Sequence, residues 1–201
     1  MTANYLIFGK WESKAVVNDP GLGKYINLEA RVTLNERGRY VKKRFGKTRL
    51  HIVERLINSL MRGGTGKKIG GKVIRDRGGC GKKSKMTVVA RKAFDLVEKK
   101  TKKNPVQVFI TAIENAAPRE EVTRIRYGGM ICPIAVDVSP QRRIDFALRN
   151  IGRAVAIRSF DNKKSAEFAL AEELVMASSG DPQSHAVARK IEVERVARGS
   201  R

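Results

Sequence analysis

Two segments of this chain carry the residue types of a phosphate-binding loop: Gly63-Gly64-Thr65-Gly66-Lys67-Lys68 and Gly78-Gly79-Cys80-Gly81-Lys82-Lys83-Ser84. A nucleotide loop needs a glycine five residues before its Gly-Lys pair and a Ser or Thr after the lysine to reach magnesium. Met61 and Asp76 stand at the first position, and Lys68 and Lys83 at the second. No apolar strand precedes either segment. They read instead as flexible backbone that lets lysines follow an irregular phosphate path.

Other chemistries find less support. A zinc site needs about four ligands, and Cys80, Cys132, His51 and His185 are scattered with no metal-ligand spacing. They read as free thiols and ordinary polar contacts. No nucleophile stands beside a base. Glu120-Glu121 follow Pro118-Arg119 with no sign of a second carboxylate pair converging on them, and the remaining acids are spread singly. No enzyme activity, cofactor or metal is expected.

Cations carry the signal. The chain has 42 Lys/Arg against 20 Asp/Glu, a net charge of +22. Residues 37–103 alone hold 23 Lys/Arg and 4 Asp/Glu, or +19, leaving +3 for everything else. Charge concentrated in this way repels itself unless an anion neutralises it. Nucleic-acid phosphate fits, because each contact also releases condensed counterions. The cations fall in four places: Arg39, Lys42, Lys43, Arg44, Lys47 and Arg49 with interleaved Tyr40 and Phe45; Lys67, Lys68, Lys72, Arg75, Arg77, Lys82, Lys83 and Lys85; Arg142, Arg143, Arg149, Arg153 and Arg158; and Arg124 and Arg126 beside Tyr127-Gly128-Gly129.

The elements that must position these groups follow from periodicity. Residues 1–30 look irregular, with a turn signal at Asp19-Pro20-Gly21. Residues 31–50 read as an extended basic arm. Ile52, Val53, Leu56, Ile57, Leu60 and Met61 form one apolar stripe of a helix. Residues 63–84 contain eight glycines and read as a long loop. A second helix runs from Met86 to Val97 with Val89, Ala90, Ala93 and Phe94 inward. Asn104-Pro105 is a helix start, and that third helix ends at Pro118. Residues 121–138 alternate with period two around Gly128-Gly129, the signature of a tight hairpin. Ser139-Pro140 opens a fourth helix, with Ile144, Ala147, Leu148, Ile151 and Val155 inward. A fifth begins near Ser165, with Phe168, Ala171, Leu174 and Val175 inward, and stops by Gly180. Asp181-Pro182 opens a sixth. The fold class is mainly α: a basic N-terminal extension over 1–50 and a six-helix domain over 51–201 with one protruding β-hairpin. Apolar runs are too short for a transmembrane helix, and no signal peptide is evident.

This order of motifs resembles a known family. His51-Ile-Val-Glu-Arg-Leu-Ile-Asn-Ser-Leu-Met61, Asn104-Pro-Val-Gln-Val108, Ile113-Glu-Asn-Ala-Ala-Pro-Arg-Glu120 and Ala135-Val-Asp-Val-Ser-Pro-Gln-Arg-Arg143 are similar to ribosomal protein seven of the small subunit, called protein five in eukaryotes. Tyr25-Ile-Asn27 and Lys42-Lys-Arg-Phe-Gly46 look like its archaeal and eukaryotic cytosolic branch. The resemblance covers about residues 5 to 201. It implies a cytoplasmic, ribosome-bound protein that binds the 3′ major domain of small-subunit rRNA, helps organise the head beside other head proteins, and approaches mRNA and exit-site tRNA. The arm, the glycine loop and the arginine helix would then carry the rRNA contacts. Arg124, Arg126, Tyr127, Gly128 and Gly129 of the hairpin, with Arg198 and Arg201 of the tail, would lie near the exit site. Two other readings share the basic charge: a duplex-DNA architectural protein, which would place a recognition element symmetrically as a dimer, and an RNA-modifying enzyme or NTPase, for which site residues are missing.

Overall fold

The structure is a computed structural model that describes residues 6–29, 31, 33–40, 42–62, 68–69, 72–73 and 82–201, the two short pairs by their backbone alone. Among these residues run helices α1 (Pro20–Gly23), α2 (Ile52–Leu60), α3 (Lys83–Thr101), α4 (Pro105–Ala116), α5 (Pro140–Ser159), α6 (Ala166–Ser178) and α7 (His185–Arg198). The strands are β1 (Lys68–Ile69), β2 (Lys72–Val73), β3 (Glu120–Tyr127) and β4 (Met130–Asp137), paired antiparallel as β1–β2 and β3–β4. The protein is therefore mainly helical with a long hairpin, as its periodicity implies.

Helix α6 lies at the centre and packs against α3, α4, α5 and α7. Contact on several sides explains its sequence. It buries Ala169, Leu170, Ala171, Leu174 and Ala177, where small side chains let neighbouring helices approach closely. The expected inward face of this helix is wrong at two positions: Phe168 is 49% exposed and Val175 only partly buried. A single-stripe rule fails for a helix covered on more than one side. In α3, α4 and α5 the expected apolar residues Val89, Ala90, Ala93, Phe94, Val97, Val106, Phe109, Ile110, Ile113, Ile144, Ala147, Leu148, Ile151 and Val155 are buried. Helix α2 instead is buried all round from Ile52 to Ile57, Glu54 and Arg55 included, and Met61 is only half-buried.

Local signals set the helix ends. The Asn104 side chain accepts from the Val106 N–H at 3.0 Å, with Pro105 in the first turn. Gly180, at φ +73°, stops α6, and the Asn115 amide donates to the carbonyls of Ala177 and Ser178 at 3.0 and 2.9 Å. The last helix starts later than its Asp181-Pro182 signal. Asp181 caps a turn through Gln183 N–H, and Ser184 is the true N-cap, accepting from Val187 N–H at 3.3 Å. Helix α3 begins at Lys83, ahead of Met86, and Lys83 there pairs with Glu54 at 2.5 Å.

The N-terminal residues are irregular but ordered. Ile7, Trp11, Leu22 and Ile26 enter the common core, and Trp11 stacks edge-on against Phe8 and Phe94. Residues 12–19 run along α4 and take their backbone partners from its side chains. Gln107 exchanges two hydrogen bonds with Val16 (2.8 and 3.0 Å), and Glu114 accepts from the N–H groups of Asn18 and Asp19. The Asp19-Pro20-Gly21 signal opens the single-turn α1. Residues 33–40 and 42–50 are not an extended arm. They form successive turns and a short 3-10 helix at Gly46–Arg49, with Leu34 in the core. Arg31 pairs with Glu29 and Glu36, and the Glu36 N–H reaches Glu54 at 3.0 Å, so some charge is balanced internally.

His51 ties these parts together. It is fully buried, and its Nδ1 accepts from Val53 N–H at 3.2 Å, capping α2. Nδ1 is thus unprotonated, so in the neutral ring Nε2 carries the hydrogen and donates to Ser13 Oγ at 3.1 Å. That hydroxyl donates to the Leu28 carbonyl at 2.5 Å. Burial, and then Arg31 nearby, push the His51 pKa down to about 4, against a pull upward from Glu54 and Glu29. A folded pKa below the unfolded value of 6.5 means the neutral ring stabilises the fold above pH 6.5. That contribution should fade as pH falls from 6.5 to about 4. We expect His51→Asn, which keeps a capping oxygen and removes the titration, to show a shallower loss of unfolding free energy across that window. Equal slopes for the two proteins, in urea melts compared at about pH 7, 5.5 and 4.5, would refute the assignment.

Candidate nucleic-acid interface

The predicted cations divide into two physical classes. Arg39, Lys42, Lys43, Arg44, Lys47 and Arg49 are all exposed on the turns before α2. Two of them lie over aromatic rings: Arg44 over Phe45 at 5.2 Å and Arg49 over Tyr40 at 5.9 Å. Lys47 reaches Asp145 at 3.2 Å but remains 57% exposed. Lys82 and Lys85 are exposed at the start of α3. Lys67, Arg75, Arg77 and the side chains of Lys68 and Lys72 lie outside the described residues.

Helix α5 separates its arginines. Arg149 and Arg153 project into solvent from the side opposite the core. Arg142 is exposed, yet forks onto Glu121 at 2.6 and 2.7 Å. That fork holds the Glu121 carboxyl below the usual range. Arg143 and Arg158 turn inward. Arg143 pairs with Asp19 at 2.7 Å and donates to the Pro118 carbonyl at 3.1 Å. Burial pushes Asp19 up, but Arg143 and the Gly21 N–H outweigh it and hold the acid below its ordinary pKa. Arg158 lies 3.3 Å from Glu173, a carboxylate with no exposure, and donates to the Gln183 carbonyl at 3.1 Å. Glu173 also accepts from Ser184 Oγ and Ala186 N–H at 2.7 and 3.0 Å. Lys83 is likewise turned in, onto Glu54 and Asn35.

A sequence signal for this division exists. Arg158 follows Ile151 by seven residues and Val155 by three, which puts it on the core stripe of α5. Arg149 and Arg153 are four apart on the far side. The inward role of Arg143 carries no local signal, because its partner Asp19 belongs to the N-terminal strap.

The hairpin packs against α7 and projects past it to an exposed tip. Its register pairs Glu120 with Asp137 and Tyr127 with Met130, and both turn glycines have positive φ, +53° and +102°. Pro133 is tolerated opposite Arg124 because both strands of a two-stranded ribbon are edges. Arg124, Arg126, Tyr127, Gly128 and Gly129 are all exposed at the tip. Only the base is held: Arg142 grips Glu121, Arg201 grips Glu120, and the Arg119 N–H donates to Glu194 at 3.0 Å. Arg198 is exposed near the same base, on a polar cleft of about 630 Å³ that also includes Glu114, Lys190 and Glu194.

None of the described residues form a cluster of three or more His, Cys, Asp or Glu side chains able to hold a metal, and no described helix is long and apolar enough to cross a membrane. Residues 23–201 match the family model described as ribosomal protein S7p/S5e. The chain is 44% identical, over 196 residues, to the small ribosomal subunit protein uS7 of Methanothermobacter thermautotrophicus, covering 97% of this chain and 98% of that protein.

The two cation classes should separate in one experiment. Arg158→Ala leaves Glu173 buried without its cation, and we expect a loss of about 3 kcal/mol in urea-melt stability. Arg149→Ala with Arg153→Ala should leave stability within about 0.5 kcal/mol per site. The double variant should instead lower the slope of log K for rRNA against log salt, by roughly 0.7–0.9 for each phosphate no longer neutralised. An unchanged slope would show that these arginines do not meet phosphate.

Proposed function

This chain belongs to the ribosomal protein S7p/S5e family, and from that premise we propose that it binds the 3′ major domain of small-subunit rRNA and organises the head. As a member it is a structural, non-enzymatic protein of the small ribosomal subunit, with rRNA and other ribosomal proteins as partners. The observation that carries the finer reading is the set of exposed cations on three separate elements: the turns before α2, the start of α3 and the outer side of α5. A surface distributed in this way fits folded RNA better than the repeating grooves of a DNA duplex. In this reading Arg39, Lys42, Lys43, Arg44, Lys47, Arg49, Lys82, Lys85, Arg149 and Arg153 meet phosphate. Lys67, Lys68, Lys72, Arg75 and Arg77 join them. Arg142, Arg143, Arg158 and Lys83 act chiefly by shaping the surface. The hairpin tip and the tail residues Arg198 and Arg201 serve mRNA and exit-site tRNA, on cytoplasmic ribosomes.

Crosslinking of the purified protein to small-subunit rRNA, mapped by nucleotide and competed with duplex DNA, tests this. Crosslinks in the 3′ major domain that resist the competitor are expected. Crosslinks elsewhere, or their disappearance on adding duplex DNA, reject it.

The hairpin gives a second test. Its tip offers two arginines and one exposed aromatic, far fewer cations than the helical body. Removing residues 124–131 and closing the ribbon with a short turn should leave rRNA affinity and retention in purified subunits largely intact, because phosphate contacts dominate affinity. Translating ribosomes should then misplace mRNA or exit-site tRNA. Loss of retention with no separate translation defect would make the hairpin an assembly anchor.

A further inference from the structure

We propose that Phe45 is a stacking site for a single unpaired nucleobase, held out by a preorganised turn within the cationic patch. The inference rests on the rRNA-binding reading and adds a base contact to a surface otherwise made of phosphate contacts.

The turn is strained and tied by hydrogen bonds. Phe45 sits in the left-handed region at φ +55°, ψ +15°, which non-glycine residues seldom adopt. Such strain persists only where the surroundings impose it, and it gathers at functional sites. Here they do impose it. The Phe45 carbonyl accepts from both Thr48 N–H (3.0 Å) and Thr48 Oγ1 (2.7 Å). Gly46 N–H donates to the Lys43 carbonyl at 2.9 Å. Gly46 is itself buried against Tyr40, and a Cβ there would overlap the Tyr40 carbonyl.

Despite this strain the ring stays outside the hydrophobic core. Phe45 is 53% exposed and takes no part in the hydrophobic core. Its ring contact is the guanidinium of Arg44 at 5.2 Å. Exposed Lys42, Lys43, Lys47 and Arg49 share its run of turns, and residues 37–50 contain no carboxylate. A protein-binding centre is depleted in lysine. An aromatic ring among cations suits an unstacked base whose flanking phosphates meet the lysines. Arginine lying on the ring extends the same flat platform.

The test uses a transcript of the 3′ major domain, the full-length protein, and the variants Phe45→Leu and Phe45→Trp. Stacking does not release counterions, so its signature is weaker affinity without a change in salt slope. Phe45→Leu should bind about 5- to 100-fold more weakly at every salt concentration, with the slope of the parent. Phe45→Trp should bind like the parent, and its indole emission should be quenched in the complex beyond any change from Trp11, which is 5% exposed. Equal affinity of Phe45→Leu, a weakening accompanied by a shallower slope, or an unquenched indole in bound Phe45→Trp each overturns the stacking site. If Phe45→Leu fails to fold, the Phe45→Trp emission decides alone. If Phe45→Leu binds the transcript normally but drops a neighbouring protein from assembled subunits, the ring is a protein contact and the proposal is wrong. Failure of the parent to bind the transcript would instead remove the rRNA-binding reading, and the stacking site with it.

Discussion

Glu54 joins the two most cationic stretches of this chain. It is 2% exposed on α2, takes the Lys83 ammonium at 2.5 Å, and accepts the Glu36 N–H at 3.0 Å. Removing a carboxylate from water is costly unless a cation and hydrogen bonds meet it. Here both partners come from segments that would otherwise repel. The turns before α2 and the first turn of α3 are therefore fastened to the same atom. Glu173 repeats the arrangement with Arg158, and the half-buried Asp145 and Asp19 pair with Arg55 and Arg143. In a chain with about twice as many cations as carboxylates, a few acids placed inside decide which cations stay at the surface.

That division explains what can and cannot be read from the residues alone. Helices α3 to α5 bury their expected apolar residues, so periodicity reports them well, whereas α2 also buries Glu54 and Arg55, and Asn104-Pro105 and Gly180 mark ends through purely local chemistry. Helix α6 packs on several sides with alanines, and its large Phe168 faces out; size is then a poor guide to burial. The start of α7 is ambiguous in sequence because Asp181-Pro182 and Ser184 are both capping signals, and tertiary contact with Glu173 selects Ser184. Residues 33–50 look too charged to fold. They fold because Leu34 enters the core and because Glu54 and Asp145, which take the Glu36 N–H and Lys47, lie on α2 and α5, where a local count of charge does not register them.

The candidate site is legible in sequence as a population of cations but not as individuals. Arg149 and Arg158 differ only in where they point on α5, and Arg143 differs through a partner on the N-terminal strap. Charge counting treats all of them alike. The distinction matters for affinity, since a guanidinium already bound to a buried carboxylate cannot also release counterions from RNA without breaking that pair.

The hairpin follows a different logic from the rest of the molecule. Tyr127, Met130, Ile131, Ile134 and Val136 are all exposed, and a two-stranded ribbon without a packed face is marginal in water. Its direction is therefore set at its base, by packing against α7 and by polar contacts, rather than by burial along its length. Glu120, Glu121 and the Arg119 N–H are held by Arg201, Arg142 and Glu194, which come from the chain end, α5 and α7. Exposed ion pairs contribute little to stability singly, but these two, with the Arg119–Glu194 hydrogen bond, constrain orientation from three elements. The consequence is a ribbon anchored at one end, with an apolar and cationic tip available to whatever occupies the space it enters. Helical core, inward carboxylates and hairpin base thus act in sequence: the first fixes the elements, the second sorts the cations, and the third aims the projection.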